Sequence, residues 1–305
     1  MSNSIVQKIK IAVIIVNYKG SQDTIECVNS VNASNLERGI SLRIIVVENG
    51  SNDGSKEKLR ELKGIKLIEN RVNLGYSGGN NLGISDALRT NADFILILNN
   101  DVVLDKYAIS YLLKSANRAD IISPKIYFAK GFEFHKSRYK KDELGRVIWY
   151  AGGQIDWNNV MGIHIGVDEV DTGQYNQNKE IDFATGACIL VKRNVFEKIG
   201  LFDEKYFLYL EDMDLCVRAK KADFKIMYEP KAVLWHKNAQ SAGGSGSKLQ
   251  DYYISRNRLL FAFKYAKNKT KLAVVKQLIK QSANRPRRKA LLDFLTFNFG
   301  KGTNL

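Results

Sequence analysis

Three short stretches of this chain hold side chains that could grip a cation and move a proton. Asn99, Asn100 and Asp101 follow the apolar run 94–98, so a strand ends by presenting two carboxamides and a carboxylate. Hard oxygen ligands of this kind suit Mg²⁺ or Mn²⁺, which bridge phosphates while keeping several waters. Asn and Asp are equally the usual residues of a turn after a strand, so this segment alone does not separate a site from a turn. Glu211 and Asp212 open a helical stretch that reaches Lys221. Successive helical residues point about 100° apart, so the two carboxylates cannot address one substrate in the same way. Asp212 shares its face with Leu215, Cys216 and Ala219, the inward side, and is the candidate general base, with Glu211 ordering the site. Asp214 and Arg218 have the i,i+4 spacing of a surface ion pair. Acids in a first helical turn also simply complement the helix dipole. His236 closes the apolar segment 232–235 and could complete a coordination begun by Asp101, whereas His135 and His164 sit in an irregular region and read as solvated.

Two further stretches are rich in turn residues. Glu48 and Asn49, ahead of 50–55, place an acid at a strand end, where it can accept hydrogen bonds from a base or a ribose; Asp53 holds the loop through its own backbone. Asn73, Gly75, Gly79 and Asn80 lie in a stretch whose glycines let backbone amides approach a diphosphate. The spacing matches neither G-x-G-x-x-G nor a Walker sequence, which argues against a nicotinamide enzyme and a P-loop ATPase.

The elements that must position these residues follow from the apolar pattern. Residues 11–16 and 43–47 are continuous β-branched runs, as in strands covered on both faces, with a helix suited to 24–32 between them. Shorter runs at 66–68 and 94–98 follow. Strands alternating with helices imply βαβ units and a mostly parallel central sheet flanked by helices, an α/β fold, in which ligands collect beyond the carboxyl ends of the strands. Asn17 and Tyr18, Glu48 and Asn49, and Asn99 to Asp101 all fall there, which points to one crevice. After Pro124 the pattern loosens into 130–178, read as loops and irregular strands shaping a second binding face. Order returns at 183–191, in a short helix over 195–199, and in the segments 224–228 and 232–236. Residues 239–248, with three glycines and three serines, read as a flexible loop. The expected organisation is a body over 1–248, its donor part 9–124 and acceptor part 125–248, and a basic helical extension over 249–305.

Composition limits the function classes. With 305 residues, 45% apolar and 26% charged, the chain can bury a large core and is neither disordered nor collagenous. Lys8 and Lys10 precede too short an apolar run for a signal peptide, and no stretch nears the roughly 18 apolar residues of a membrane span. Cys27, Cys188 and Cys216 are odd in number and widely spaced, which implies reduced, packed thiols in a cytosolic protein. The net charge of +15 asks for an anionic partner. Most of it lies in 251–305, with thirteen Lys or Arg against two acids. Arg256, Arg258, Lys264, Lys267, Lys269 and Lys271 precede Leu272, Val275 and Ile279, and Arg285, Arg287, Arg288 and Lys289 precede Leu291, Leu292, Phe294, Leu295, Phe297 and Phe299. Basic side chains beside such a face over 256–299 read as an interfacial helix pair on anionic lipid. The same charge could instead bind nucleic acid, or belong to docked helices whose charged side is wet.

Taken in order, the motifs resemble those of the family 2 glycosyltransferases of the GT-A fold, especially the rhamnosyltransferase-like branch. The likeness covers roughly residues 9–265. It is carried by Val-Asn-Tyr at 16–18, Glu-Asn-Gly-Ser-Asn-Asp-Gly-Ser at 48–55 and Asn-x-Gly-x-x-Gly-Gly-Asn at 73–80. Asn-Asn-Asp at 99–101, Thr-Gly-Ala at 185–187, Phe-Leu-Tyr-Leu-Glu-Asp-Met-Asp-Leu-Cys at 207–216 and Trp-His at 235–236 complete it. The resemblance implies an inverting transfer of one sugar from a nucleoside diphosphate sugar, dTDP-rhamnose or a UDP-hexose, to a hydroxyl of a glycan or lipid-linked acceptor. It implies Glu48 on the base, Asn100 on the ribose, Asp101 and His236 on a divalent metal, and Asp212 taking the acceptor proton. The first two positions of the family's acidic triplet are Asn99 and Asn100 here, and Glu48 stands for a more usual Asp. With the basic extension, the expected location is the cytoplasmic face of the cell membrane. A sugar nucleotidyltransferase would use similar diphosphate chemistry and release pyrophosphate. A non-catalytic nucleic-acid-binding protein would explain the charge but not carboxylates at strand ends, which repel phosphate.

Overall fold

The computed structural model describes residues 8–238 and 246–302. Its first half is built on β1 (Ile9–Asn17), β2 (Ile40–Asn49), β3 (Ile65–Asn70) and β4 (Phe94–Asn99), all parallel, in the order β3-β2-β1-β4. The connections are α1 (Ser21–Asn32), α2 (Ser55–Arg60) and α3 (Gly75–Arg89). Ile14, Ile15, Val46, Val47, Ile95 and Ile97 are fully buried, because helices and loops cover both faces; that is why these strands read as unbroken apolar runs. Strand order reverses at β1, whose register sets Asn17 beside Glu48 and Val16 beside Asn99, so three strand ends open on one crevice.

The glycines at 75–83 do a different job from the one expected of them. Gly78, Gly79 and Gly83 lie inside α3, and a Cβ on Gly79 would stand 2.8 Å from Val16 Cγ1, one on Gly83 2.5 Å from Ile14 Cγ2. Gly79 and Gly83 thus let α3 lie close on β1, while a Cβ on Gly78 would stand 2.7 Å from Leu74 Cβ. Gly75, at φ +72°, starts the helix where a Cβ would stand 2.3 Å from the carbonyl oxygen of Phe207.

The second half adds β5 (Val102–Leu104), α4 (Ala108–Ser115), β6 (Ile121–Phe128), β7 (Ile148–Tyr150) and a hairpin of β8 (Gly153–Asp156) and β9 (Met161–His164). It continues through β10 (Lys179–Glu180), β11 (Cys188–Lys192), α5 (Arg193–Ile199), α6 (Glu211–Lys221) and β12 (Ile226–His236). β11 runs antiparallel between β4 and β6, so the residues before it reach the carboxyl end of β4, where Asn99 N–H donates to Ala187 O at 3.0 Å. β6 passes through Pro124, pairing it with Glu229, where the register of β12 shifts, and the loops and short strands expected over 130–178 follow it. A residue without an N–H is tolerated at such an irregularity. The shift also joins 224–228 and 232–236, which read as separate segments, into one bulged strand.

The last three helices are α7 (Lys248–Tyr265), α8 (Asn268–Lys280) and α9 (Arg285–Leu295). They are not a tail set apart at residue 248: Leu259, Phe261 and Ala262 of α7 are buried in the same core as the sheet. The expected lipid-facing role of Arg256 is overturned too, since it is 0% exposed. Lys264 pairs with Asp203 at 3.1 Å and with Asp214. Asp214 and Arg218 do pair, at 2.8 Å, yet not on the surface: the Asp214 carboxylate is fully buried and also meets the hydroxyls of Tyr206 (3.1 Å) and Tyr265 (2.7 Å). Burial would raise its pKa, but Lys264 and Arg218 hold it below the usual carboxylate range. Cys27, Cys188 and Cys216 are free and buried, as packed thiols should be. Among the described residues no helix is long and apolar enough to cross a membrane. Most of the glycine- and serine-rich stretch, 239–245, lies outside the described residues.

Gly83→Ala tests the close helix packing by its sign. In an open helix the change stabilises by about 1 kcal/mol. Here the added carbon meets the buried side chain of Ile14. Urea unfolding is expected to show a loss of about 1–3 kcal/mol instead.

Candidate active site

A cavity of about 670 Å³ lies over the carboxyl ends of β1 and β4. Tyr18, Asn49, Asn73, Gly75, Asn99, Asn100, Asp101, Glu211, Asp212 and His236 all line it. Asn17, Glu48 and Asn80 are buried, and with Gly79 they lie outside its wall. Asn17 Oδ1 accepts from the Thr24 hydroxyl (2.8 Å), which in turn accepts from Asn100 Nδ2 (3.1 Å), so Asn17 sets the pose of Asn100 from beneath. Glu48 turns back on its own loop, accepting from the N–H groups of Ser51 (2.8 Å) and Gly50 (3.2 Å). Asn80 donates to Tyr76 O at 2.9 Å. Asn49 bonds Gly75 O, Asn73 Oδ1 and Leu74 N–H, which fixes the loop that enters α3.

Asp101 and His236 meet because β12 ends beside β5, with His236 paired to Val102. His236 Nε2 stands 3.1 Å from Asp101 Oδ1 and 3.4 Å from Asn99 Nδ2, while its Nδ1 has no partner among the described residues. Trp149 packs edge-on against both His236 and His164, at 4.5 Å between centroids. Among the described residues no group of three or more His, Cys, Asp or Glu is placed to hold a metal. An oxygen and an imidazole nitrogen side by side nevertheless fit Mn²⁺ or Mg²⁺, ions that take most of their shell from phosphate oxygens and water. His164 is not solvated: it packs among Trp149, Tyr150 and Phe183 on the cavity wall, and burial pushes its pKa down to about 4, so the ring is neutral. His135 is exposed, as expected, with Nδ1 2.9 Å from Asp168.

Glu211 and Asp212 start α6 after Leu210, whose left-handed backbone (φ 70°) turns the chain into the helix. Asp212 Oδ2 accepts from Gly186 N–H at 2.9 Å and Oδ1 from Met213 N–H at 2.8 Å. Gly186 is itself held by Tyr76, whose hydroxyl donates to Gly186 O at 2.6 Å. Glu211 is 4% exposed and its Oε2 has no partner among the described residues. Burial raises both carboxyls: Glu211 well above the ordinary range, helped by the charge of Asp212, and Asp212 less, because the two N–H groups oppose it. Such a pair can keep one proton while the other oxygen accepts one. Sequence reasoning missed other parts of the wall, made by Trp149, His164, Phe183 and, from α7, Tyr253 and Arg258. Trp149 and His164 carried no periodic signal, and Tyr253 looked like part of an external helix.

Comparison with known proteins gives this architecture a class. The fold matches that of GalNAc-T7, solved with UDP, GalNAc and Mn²⁺, at a TM-score of 0.60 and 15% identity, covering 83% of this chain and 51% of that one. It also matches a mannosyltransferase of Pyrobaculum calidifontis, solved with GDP-Man and Mn²⁺, at 0.53 and 13% identity, covering 95% and 87%. The fold is therefore GT-A, a mixed, mostly parallel sheet flanked by helices. The description "Glycosyl transferase family 2" matches residues 12–200, and the chain belongs to that family. Its relatives include the low-salt glycan biosynthesis hexosyltransferase of Haloferax volcanii, 29% identical over 82% of this chain and 74% of that protein. The N-acetylglucosaminyl-diphospho-decaprenol L-rhamnosyltransferase of Mycobacterium tuberculosis is 26% identical over 68% and 69%.

The raised Glu211 carboxyl makes stability depend on pH. Its folded pKa exceeds the unfolded one, so its contribution is full below about pH 4 and is lost as pH rises through the raised value. Glu211→Gln is expected to melt a few degrees above the wild type at pH 8, on the order of 2–4 °C for each kcal/mol, with the gap closing toward pH 4. Calorimetry across that range checks it.

Proposed function

We propose that the protein moves one sugar, with inversion, from a nucleoside diphosphate sugar to a hydroxyl of a glycan or lipid-linked acceptor. The observation that carries the reading is that Asp101 and His236, 135 residues apart, meet at 3.1 Å on the cavity that Asp212 also lines. Asp212, held by Gly186 and Met213, is the base. It takes the proton of the acceptor hydroxyl as that oxygen bonds the anomeric carbon and the bond to the diphosphate breaks on the far side. Glu211 stays protonated beside it and keeps Asp212 the single negative carboxylate of the pair. Asp101 and His236 would hold a divalent ion, which when bound neutralises charge on the diphosphate. Asn100, on the cavity wall, belongs to the nucleoside side, while Glu48, turned onto its own loop and outside that wall, supports the loop and does not touch the base. The relatives named a hexosyltransferase and an L-rhamnosyltransferase favour a hexose or rhamnose as the sugar, for which UDP-hexose or dTDP-rhamnose is the proposed donor.

We propose further that the protein works at the cytoplasmic face of a membrane. Buried Arg256 takes no part in this, but Lys267, Lys269, Lys276 and Lys280 are exposed. Beside them Leu272 is 62% exposed and Phe297 81%, and the rings of Phe263, Phe294, Phe299 and Phe297 form a contiguous row, with Lys271 over the ring of Phe263. Apolar side chains rimmed by lysines suit an anionic lipid surface.

Two measurements test these readings. With dTDP-rhamnose or UDP-glucose and Mn²⁺, Asp212→Asn should lower turnover by roughly 10²- to 10⁴-fold while calorimetric binding of UDP or dTDP persists. EDTA should stop the wild type until Mn²⁺ is restored. Full turnover in either case removes the mechanism, and release of pyrophosphate marks a nucleotidyltransferase. For the membrane, the intact chain should float with phosphatidylglycerol vesicles and not with phosphatidylcholine alone. A Leu272→Ser/Leu295→Ser/Phe297→Ser variant should stay behind; equal flotation contradicts the proposal.

A further inference from the structure

We infer that Arg256 and Asn257 of α7 are positioning residues that hold the loop ahead of α6, and through it Glu211 and Asp212, in the geometry of the site. The loop is strained. Phe207, Tyr209 and Leu210 have φ values of 64°, 71° and 70°, a left-handed backbone that side chains other than glycine rarely adopt. Such conformations persist when the surroundings over-determine them. Here the surroundings are two adjacent side chains of α7.

Asn257 Nδ2 donates to three carbonyls of the loop, those of Tyr206 (2.8 Å), Leu208 (2.8 Å) and Tyr209 (2.9 Å). Arg256 Nη2 reaches Lys205 O (3.2 Å) and Tyr206 O (3.1 Å), and its Nη1 reaches Gly300 O (2.7 Å). Asn257 Oδ1 accepts from Arg256 Nε (3.1 Å) and Nη2 (3.0 Å), which locks the amide with its NH₂ toward the loop. Phe207 O, between these carbonyls, accepts from Ser77 N–H at 3.3 Å, and the Phe207 ring stacks on Tyr253 at 5.2 Å. From Lys205 to Tyr209, every carbonyl is therefore held from outside the loop.

Arg256 is 0% exposed and lies over the rings of Tyr252 and Tyr253, and among the described residues its hydrogen-bond partners are carbonyls, an amide and a hydroxyl, not an acid. Asp293 reaches it through Tyr252, whose hydroxyl donates to Asp293 at 2.6 Å and accepts from Arg256 at 3.3 Å. A buried cation is tolerated only when its donors are satisfied, and the planar fork of Arg matches diverging carbonyls as an ammonium cannot. The loop it fixes ends at Leu210, whose carbonyl takes the first helical bond, from Asp214 N–H at 3.0 Å. The turn at which α6 begins therefore decides where Glu211 and Asp212 point, and Phe207 to Leu210 line the cavity beside them. The helix after residue 248 thus acts on the site without touching the reacting atoms.

The test uses the full chain with Asn257→Ala, with Asn257→Asp, which keeps the size but sets an acceptor oxygen against the three carbonyls, and with Arg256→Lys as the third variant. Hydrogen exchange followed by mass spectrometry should show faster exchange in peptides covering 205–214, with β1, β2 and β4 unchanged. Its activity arm rests on the reading of the site as a transferase. With the sugar nucleotide that the wild type turns over, kcat should fall on the order of 10- to 100-fold, with the donor KM within about twofold. The acid limb of the kcat/KM profile should move down toward the ordinary aspartate range, since a loosened loop admits water to Asp212, whose pKa burial has raised. Unchanged exchange at 205–214 in Asn257→Ala overturns the inference. So does uniformly faster exchange throughout the chain with unaltered kcat per folded molecule and an unmoved acid limb. A wild type that turns over no sugar nucleotide counts against the transferase reading alone, and the exchange arm still decides the clamp.

Discussion

The site depends on one register. β12 ends opposite the first residue of β5, pairing His236 with Val102, and this sets an imidazole against the carboxylate of Asp101. The bulge between Glu229 and Val233 lets β12 follow β6 along its length and still finish there. A slip of one residue in that strand would turn His236 to the opposite face of the sheet. The antiparallel β11 supplies the complementary constraint, because its direction delivers Gly186 to the end of β4 and so gives Asp212 its N–H donor.

Besides Asp101, four acidic residues in or near the crevice have four different environments, and those differences define the chemistry. Asp214 is fully buried but faces Arg218, Lys264 and two tyrosine hydroxyls, so it stays ionised and serves the fold. Glu48 spends its oxygens on the amides of its own turn. Asp212 has two amide donors and no cation, which leaves it more basic than a solvated aspartate. Glu211 has the least compensation and keeps its proton most strongly. In a low-dielectric site, cationic partners outweigh burial, as at Asp214, whereas two bonded amides only reduce its effect, as at Asp212.

The basic segment after residue 248 combines two roles in a short length of chain. Its inner face is structural, with Arg256 and Asn257 serving a loop 50 residues earlier. Its outer face, on α8 and α9, bears exposed lysines and large apolar side chains. Net charge summed over sequence cannot distinguish an arginine engaged with carbonyls from a lysine in water.

The strands at 11–16, 43–47 and 94–98, the polar residues at their ends and the helix opened by Glu211 were legible in the sequence, because apolar periodicity and turn chemistry are local properties. The glycines of α3 were visible, but whether they faced a ligand or β1 depended on a helix position no local pattern encodes. The pairing of Asp101 with His236, the burial of Asp214, the neutral wall formed by Trp149 and His164, and the seating of α7 were decided by tertiary structure alone. Each depends on which distant segment supplies the neighbouring atoms, and those atoms set both the desolvation of a side chain and the partners that compensate it.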